Sequence, residues 1–384
     1  MSALFPTYKR KQIRLQKGNG TYVYDQNDKK YLDFTSGIAV TSLGHCHPDV
    51  VAALQKQSEC IWHTSNLFEI HQQELLADTL VKHTHLDLAF FCNSGAEANE
   101  AAIKLAKKFT KKNKIITFND SFHGRTFGSM SATGQQKIKE GYGPLLSTFI
   151  HLPWNDIEQL KKQADNDTAA IMMEVIQGEG GIKIADPDFY KAVQEICEKN
   201  DILLIIDEVQ TGIGRTGKRY AYEHFELDPD IVTLAKGLGN GFPIGAMLGK
   251  SKLADMFGPG SHGTTFGGNP LACAVSQSVL DIIFHDEFLS EVERKGKNFK
   301  AQLENHLINF PCVKEIRGKG LLIGIECERA GELIVNLEDQ GLLTVPAGEP
   351  VIRLLPPLNV TDEELTSALN TILALFNNKY EKVT

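Results

Sequence analysis

The sequence predicts an α/β protein, with a mostly parallel sheet between helices and a second, smaller α+β lobe. From about residue 86, short β-rich runs alternate with helical periodicity, and such alternation builds a parallel sheet flanked by helices. After Lys250 it gives way to long helices and then short strands, which marks a change of lobe. At 384 residues, 42% hydrophobic and 23% charged, the chain is long enough to bury a core in each lobe.

Each element follows from its residues. The first twenty, MSALFPTYKRKQIRLQKGNG, are basic and lack acids, as organellar leaders do. No arginine- and serine-rich extension follows, and TYVYDQNDKKYLDF begins an ordered-looking stretch at once. Residues 1–45 are expected to form an N-terminal segment packing with the small lobe. LDLAFFC reads as a strand and AEANEAAIKLAKKF behind it as a helix; KIITF and TFIHL are strands, with helical DIEQLKKQ after the second. TAAIMMEVI is a strand before the helix PDFYKAVQEICEKN, and ILLII and IVTLA complete a large domain at 46–249. In 250–384 the pattern predicts helices over 270–285 and roughly 287–308, strands at VKEIRGKGLLIGIEC and VIRLL, and a closing helix from Thr361. There is no internal repeat, low-complexity segment or Pro/Ser linker, so the lobes are expected to pack closely.

Composition excludes several classes of partner. Formal net charge is −8, so the positive field that draws proteins to nucleic acid is absent. No apolar run approaches the roughly 20 residues of a membrane helix. Seven cysteines, at 46, 60, 92, 197, 273, 312 and 327, form no C-x-x-C pair. That pattern predicts reduced thiols, no metal site and a cytoplasmic location, with small molecules as substrates.

In DEVQTGIGRTG, residues 207–217, the glycines Gly212, Gly214 and Gly217 spell G-x-G-x-x-G after the apolar run ILLII. A dinucleotide loop needs its first glycine at the strand end and an acid at the tip of the next strand. Here DEVQT intervenes, and Asp228 and Asp230 precede the next strand. The glycines read as loop punctuation, which leaves Asp207, Glu208 and Gln210 at the carboxyl end of a strand, where open α/β sheets bind ligands. Lys236 follows the next strand, in TLAKGLGNG. Such a lysine is by itself an ordinary solvated strand end. A lysine and an aspartate at neighbouring strand ends also suit pyridoxal phosphate, whose aldehyde takes a lysine as Schiff base and whose pyridine nitrogen needs a carboxylate. A phosphate cradle is offered where LDLAFFC runs through Asn93 and Ser94 to Gly95 and Ala96 at a helix start, although Ser94 equally reads as a plain N-cap. FHGRT adds a ring, Phe122, and a cation, Arg125; alone it is only a loop.

NSGAEANEAA, FHGRT, MEVIQGEGG, IDEVQTGIGRTG, LAKGLGNG, GTTFGGNP and IRLLPPL, in this order, resemble class III (ω-amino acid) aminotransferases. These are fold type I pyridoxal phosphate enzymes, and the resemblance runs from GHCHP at 44–48 to the last helix. It implies Lys236 as the Schiff-base lysine and proton carrier, Asp207 at the pyridine nitrogen and Gln210 at the ring oxygen. It implies further that Gly95, Ala96 and Ser94 bind phosphate, that Phe122 stacks on the ring, and that Thr265 reaches the phosphate of a neighbouring subunit with Thr264 near substrate. Homodimers with shared active sites follow. Arg125 would hold the carboxylate far from the reacting amine, Arg353 the α-carboxylate of glutamate or 2-oxoglutarate, and Glu179 would cover Arg353; each also reads as a surface ion pair. NSGAEANEAAIKLA and EVIQGEGGI are most like the subfamily acting on N2-acetyl-L-ornithine. The implied reaction moves its terminal amino group to 2-oxoglutarate in ping-pong order, within arginine biosynthesis. Ornithine, succinylornithine and 4-aminobutyrate remain alternative donors, and an aminomutase or a non-catalytic binding protein alternative activities. IAVTSLG at 38–44 and HTSNLF at 63–68 are candidates for lining the acyl-group space.

Overall fold

The computed structural model describes residues 3–380. Strands β1 (Leu15–Asn19), β2 (Tyr22–Asp25) and β3 (Lys30–Asp33) form an antiparallel meander. After β3 the backbone winds left-handed through Ser36, Gly37, Ile38 and Ala39, with φ of 45°, 62°, 68° and 60°. A β-branched residue in that region is strained, and side chains pin the turn. Asp33 Oδ1 accepts from the Thr35 and Ser36 N–H groups and the Thr35 hydroxyl, and the Ser36 hydroxyl donates to the Leu355 carbonyl at 2.6 Å. Helices Pro48–Ser58 and His71–Val81 follow.

The central sheet contains β4 (Leu88–Cys92), β5 (Lys114–Phe118), β6 (Phe149–Leu152) and β7 (Thr168–Met173). A small hairpin, β8 (Ile176–Gln177) and β9 (Lys183–Ile184), comes next. The sheet resumes with β10 (Leu203–Asp207), β11 (Ile231–Leu234) and β12 (Gly245–Gly249). Its order is β4-β12-β11-β10-β7-β5-β6, parallel except that β12 runs antiparallel to both neighbours. β7 and β10 are buried along their whole length, which explains their unbroken apolar runs. Against the sheet lies helix Gly95–Thr110, whose alanines at 98, 101, 102 and 106 are buried and let it approach β11 and β12 closely. Helices Ile157–Gln163 and Pro187–Asn200 fall where the sequence predicts them.

Beyond the sheet come helices Pro270–Ile283 and Asp286–Leu307, β13 (Val313–Lys319), β14 (Leu322–Cys327) and helix Ala330–Asp339. β15 (Leu342–Leu343), β16 (Val345–Pro346), β17 (Val351–Leu354) and helix Asp362–Lys379 complete the chain. β13, β14, β17 and β16 form an antiparallel sheet, while β15 pairs in parallel with β3 and so joins the N-terminal meander. Helix Pro270–Ile283 packs on helices Pro48–Ser58 and His71–Val81. One continuous core runs from Phe34 through Ile171 and Ile206 to Phe376.

The glycines of GIGRTG have a packing reason. A Cβ on Gly217, whose φ is 88°, would lie 2.8 Å from the Glu293 side chain. The neighbouring Arg215 is wholly buried and donates from Nη1 to the Leu321 and Pro356 carbonyls at 3.1 and 2.6 Å. Across the same junction, a Cβ on Gly296 of helix Asp286–Leu307 would sit 2.1 Å from the Gly320 carbonyl oxygen. Gly296→Ala must therefore push helix and turn apart, and we expect it to destabilise by about 2–3 kcal/mol. Gly331→Ala meets nothing within 4 Å in a helix and should be neutral or stabilising by up to about 1 kcal/mol. Denaturant midpoints of the two variants check the contrast.

Candidate active site

Asp207 ends β10, and because side chains alternate along a strand its neighbour Glu208 points to the other face. Asp207 is buried, and an ionised carboxylate out of water requires hydrogen-bond donors. Its Oδ2 receives Asn99 Nδ2 and His123 Nδ1, both at 2.8 Å, and its Oδ1 receives the Val209 N–H at 3.0 Å. Asn99 Nδ2 also donates to the His123 carbonyl, and Asn99 Oδ1 accepts from the Thr233 hydroxyl at 2.7 Å. The helix after β4, the loop after β5 and the turn after β10 thus converge on one oxygen pair, and strand β11 braces Asn99 from behind. Glu208 instead accepts from the Thr211 hydroxyl and the Tyr222 N–H.

Lys236 follows β11 in a strained backbone, with φ of 44° next to an Ala235 at φ −167°, ψ −141°. Burial draws the pKa of its amine below the usual lysine range; Glu179 opposes this, Arg353 adds to it, and Asp207 and Glu174 oppose it more weakly. A fraction of neutral, nucleophilic amine is thereby favoured.

Lys236, Asp207 and Gln210 line a cavity of about 260 Å³ together with Gly95, Ala96, Phe122, Arg125 and Glu179. Gly95 and Ala96 open the helix Gly95–Thr110, whose free N–H groups and positive end face that cavity. A Cβ at Gly95 would come within 2.7 Å of Val209, so the cradle tolerates no side chain there. Ser94 sits behind as the N-cap, accepting from the Glu97 N–H at 3.2 Å. The Arg125 guanidinium lies 5.6 Å from the Phe122 ring centroid.

Arg353 is not itself part of the cavity lining; it is buried behind it and pairs at 2.8 Å with Glu179, which is, and their side chains are 2% and 31% exposed. Nη1 of Arg353 also donates to the Gly178 carbonyl at 3.0 Å and to Gln210 Oε1 at 2.9 Å, and Nη2 to the Pro346 carbonyl. Gln210 is therefore engaged with this arginine. Burial pushes the Glu179 carboxyl up, but the charge and hydrogen bond of Arg353, helped by Lys236 and Gln210, hold it below the usual glutamate value.

Thr264 and Thr265 stand apart from this group. They line a second, larger cavity of about 610 Å³ with Asn93, Glu97, Glu100 and His262, and the Thr264 hydroxyl accepts from Asn93 Nδ2 and the Gly267 N–H. Three residues that sequence reasoning passed over join the first cavity: Asn99, His123 and Glu174. His123 stood inside FHGRT. Glu174 directly follows β7, and the rule that singles out strand ends would have found it. Asn99 is one turn along the helix from Gly95. Among the described residues, no group of three or more His, Cys, Asp or Glu could hold a metal ion.

The site combines a lysine with a lowered pKa, a buried carboxylate, an anion-receiving helix end and a carboxylate-matching guanidinium. Comparisons with known proteins agree with that chemistry. A family model described as Aminotransferase class-III matches residues 6–376. The acetylornithine aminotransferase of Bacillus subtilis is 56% identical over 374 residues, 97% of each chain. The N-acetylornithine aminotransferase structure from Stenotrophomonas maltophilia superposes with a TM-score of 0.85 at 39% identity, covering 97% of both chains. An ornithine aminotransferase from Toxoplasma gondii, with partial occupancy of PLP at its active site, gives 0.93 at 35% identity over 97% of this chain and 92% of its own.

The Glu179–Arg353 pair makes stability depend on pH. Glu179's folded pKa lies below its ordinary 4.5, so the pair's contribution is complete above about pH 4.5 and is lost as pH falls through the lower folded value. Arg353→Ala leaves Glu179 without its cation and should cost about 2–3 kcal/mol near pH 7, reduced from the fully buried case because Glu179 is partly exposed. The deficit should shrink as pH falls below about 4.5 and through the lower folded value of Glu179. Thermal melts of the two proteins across that range measure it.

Proposed function

Since this chain belongs to the class-III aminotransferases, and is with them a pyridoxal phosphate-dependent transaminase of fold type I, we propose that its amino donor is N2-acetyl-L-ornithine and its acceptor 2-oxoglutarate. The products are N-acetyl-L-glutamate 5-semialdehyde and L-glutamate, a step of arginine biosynthesis. The observation that carries this reading is the closed Glu179–Arg353 pair beside Lys236.

The cavity residues fit pyridoxal phosphate. Gly95 and Ala96, with Ser94, would receive its phosphate, Phe122 one face of its ring, Asp207 its pyridine nitrogen and Gln210 its phenolic oxygen. When bound, the cofactor supplies an electron sink for the pair left when the amine-bearing carbon loses its proton. Three N–H donors orient the Asp207 carboxyl group, which would hold a proton on the ring nitrogen. Lys236 is the group that takes and returns the proton at the reacting carbon, and its lowered pKa suits both directions.

Two unlike substrates must use one pocket. Acetylornithine presents an uncharged methylene at the reacting carbon, and an open guanidinium beside it would be desolvated without a partner. Glutamate brings a carboxylate to the same place. Glu179 pairing with Arg353 suits the first half-reaction, and its withdrawal frees Arg353 for the second. Arg125 remains for the carboxylate far from the reacting amine.

We also propose a homodimer with shared sites. Trp62, Leu67, Phe68 and Phe266 are 64%, 90%, 68% and 61% exposed. They lie on two loops that touch, with the His63 ring 5.2 Å from that of Phe266 and Asn66 donating to the Gly267 carbonyl. Apolar surface of this kind is ordinarily covered, and Thr264 and Thr265 beside it would serve a partner's cofactor. The seven free thiols fit a reducing, cytoplasmic setting.

Single-turnover conversion of the cofactor by a panel of ω-amines tests the donor. Acetylornithine should lead, and a lead by ornithine or 4-aminobutyrate of more than about tenfold would replace it. In the same assay Glu179→Ala should shift the rate ratio toward glutamate roughly 10–100-fold, as expected for a charged contact of about 1.5–3 kcal/mol. A change under about twofold would remove Glu179 from this role.

Mixed dimers test the sharing. A Thr265→Ala chain with a severe defect and an inactive Lys236→Ala chain should together regain up to about half the activity per dimer pair, since one of two sites is intact. Subunit exchange without recovery would assign each site to a single chain.

A further inference from the structure

Glu174 takes no part in the chemistry above, yet it lines the same cavity. It directly follows β7 and is buried. Its Oε2 accepts the Phe122 N–H at 3.0 Å, and its Oε1 the Gly178 N–H at 3.3 Å. The Gly178 carbonyl in turn accepts Arg353 Nη1 at 3.0 Å. One carboxylate therefore bridges the backbone that presents the Phe122 ring and the backbone that backs the Arg353 guanidinium and precedes Glu179. The turn has little freedom to move by itself, because a Cβ on Gly178 would already lie 2.3 Å from Gln210 Oε1.

We propose that Glu174 is a positioning residue, a clamp that sets the distance and angle between the ring-stacking side chain Phe122 and the carboxylate-binding Arg353. The inference rests on the transaminase reading and deepens it. The plane of the cofactor is set at one end of the clamp and the α-carboxylate of the substrate at the other. A substrate that uses Arg353, glutamate, therefore depends on the clamp more than one that does not, acetylornithine. The charged groups facing Glu174 are His123 from the loop after β5, Asp207 from β10 and Lys236 beyond β11. Burial raises its carboxyl to about 7; His123 opposes this and Asp207 reinforces it. A carboxylate holds both N–H groups with a full charge and a neutral acid holds them less strongly, so the clamp tightens as pH rises through that region.

The experiment compares wild type, Glu174→Ala and Glu174→Gln. It reads pyridoxal phosphate affinity of the apoenzyme by quenching of intrinsic fluorescence, and single-turnover rates of the holoenzyme with glutamate and with acetylornithine between about pH 6 and pH 8.5. Glu174→Ala should weaken cofactor binding about tenfold and slow the glutamate half-reaction at least about tenfold more than the acetylornithine one. Glu174→Gln, which keeps one acceptor but cannot ionise, should bind the cofactor within about threefold of wild type and lose the pH dependence of the donor ratio near pH 7. The proposal is overturned if Glu174→Gln keeps the wild-type pH profile of that ratio, or if Glu174→Ala keeps the wild-type ratio and affinity. Should Glu174→Ala not fold, Glu174→Gln alone decides. Should acetylornithine prove to be no donor for wild type, the substrate reading fails, while cofactor affinity and the pH profile of the glutamate half-reaction still judge the clamp.

Discussion

The site depends on holding the Asp207 carboxyl group away from water. Removing a carboxylate from solvent costs several kcal/mol unless donors replace the water, and no single segment of this chain can supply them. Asn99 comes from a helix, His123 from a loop and Val209 from the turn beyond the strand. Meeting that requirement fixes where the helix Gly95–Thr110 starts, and so where its N–H groups point. It also fixes FHGRT, and with it Phe122 and Arg125. The anion end, the aromatic wall and the carboxylate arise from one condition of solvation.

A second condition acts behind the cavity lining. Arg353 is almost wholly buried, and Glu179, Gln210 and two carbonyls share its charge. A buried cation with a carboxylate beside it is easier to hold than one alone, and Glu179 keeps part of its side chain in water.

Much of this was readable in the chain. β7 and β10 are buried on both faces and so announce themselves as apolar runs, and the helices Pro187–Asn200 and Pro270–Ile283 begin at proline. Strand-end position singled out Asp207 and Lys236 before any likeness was considered. β12 stayed hidden because Gly-Ala-Met-Leu-Gly offers three apolar residues between glycines and no alternation. The contacts of Asn99 and His123 were invisible for a different reason. Their partner, Asp207, lies 108 and 84 residues away, and a polar residue inside an amphipathic helix or a loop carries no local mark of what it will bond. Spacing likewise could not tell that Thr264 and Thr265 line a different cavity from Lys236, since that depends on how the loop after β12 is laid over Asn93.

The pairing of β15 with β3 has a consequence for how the protein is made. The Ser36 hydroxyl meets the Leu355 carbonyl across 319 residues of chain, and the Leu355 N–H donates to the Phe34 carbonyl just before the left-handed turn at 36–39. During synthesis at about 5–20 residues per second, the N-terminal meander emerges first and waits longest. Until residues near 343 leave the ribosome, its edge strand is bare and its strained turn is free to unwind to ordinary backbone. The meander is thus sealed long after it is made, and a nascent chain interrupted before Leu342 would present β3 as an open β-edge.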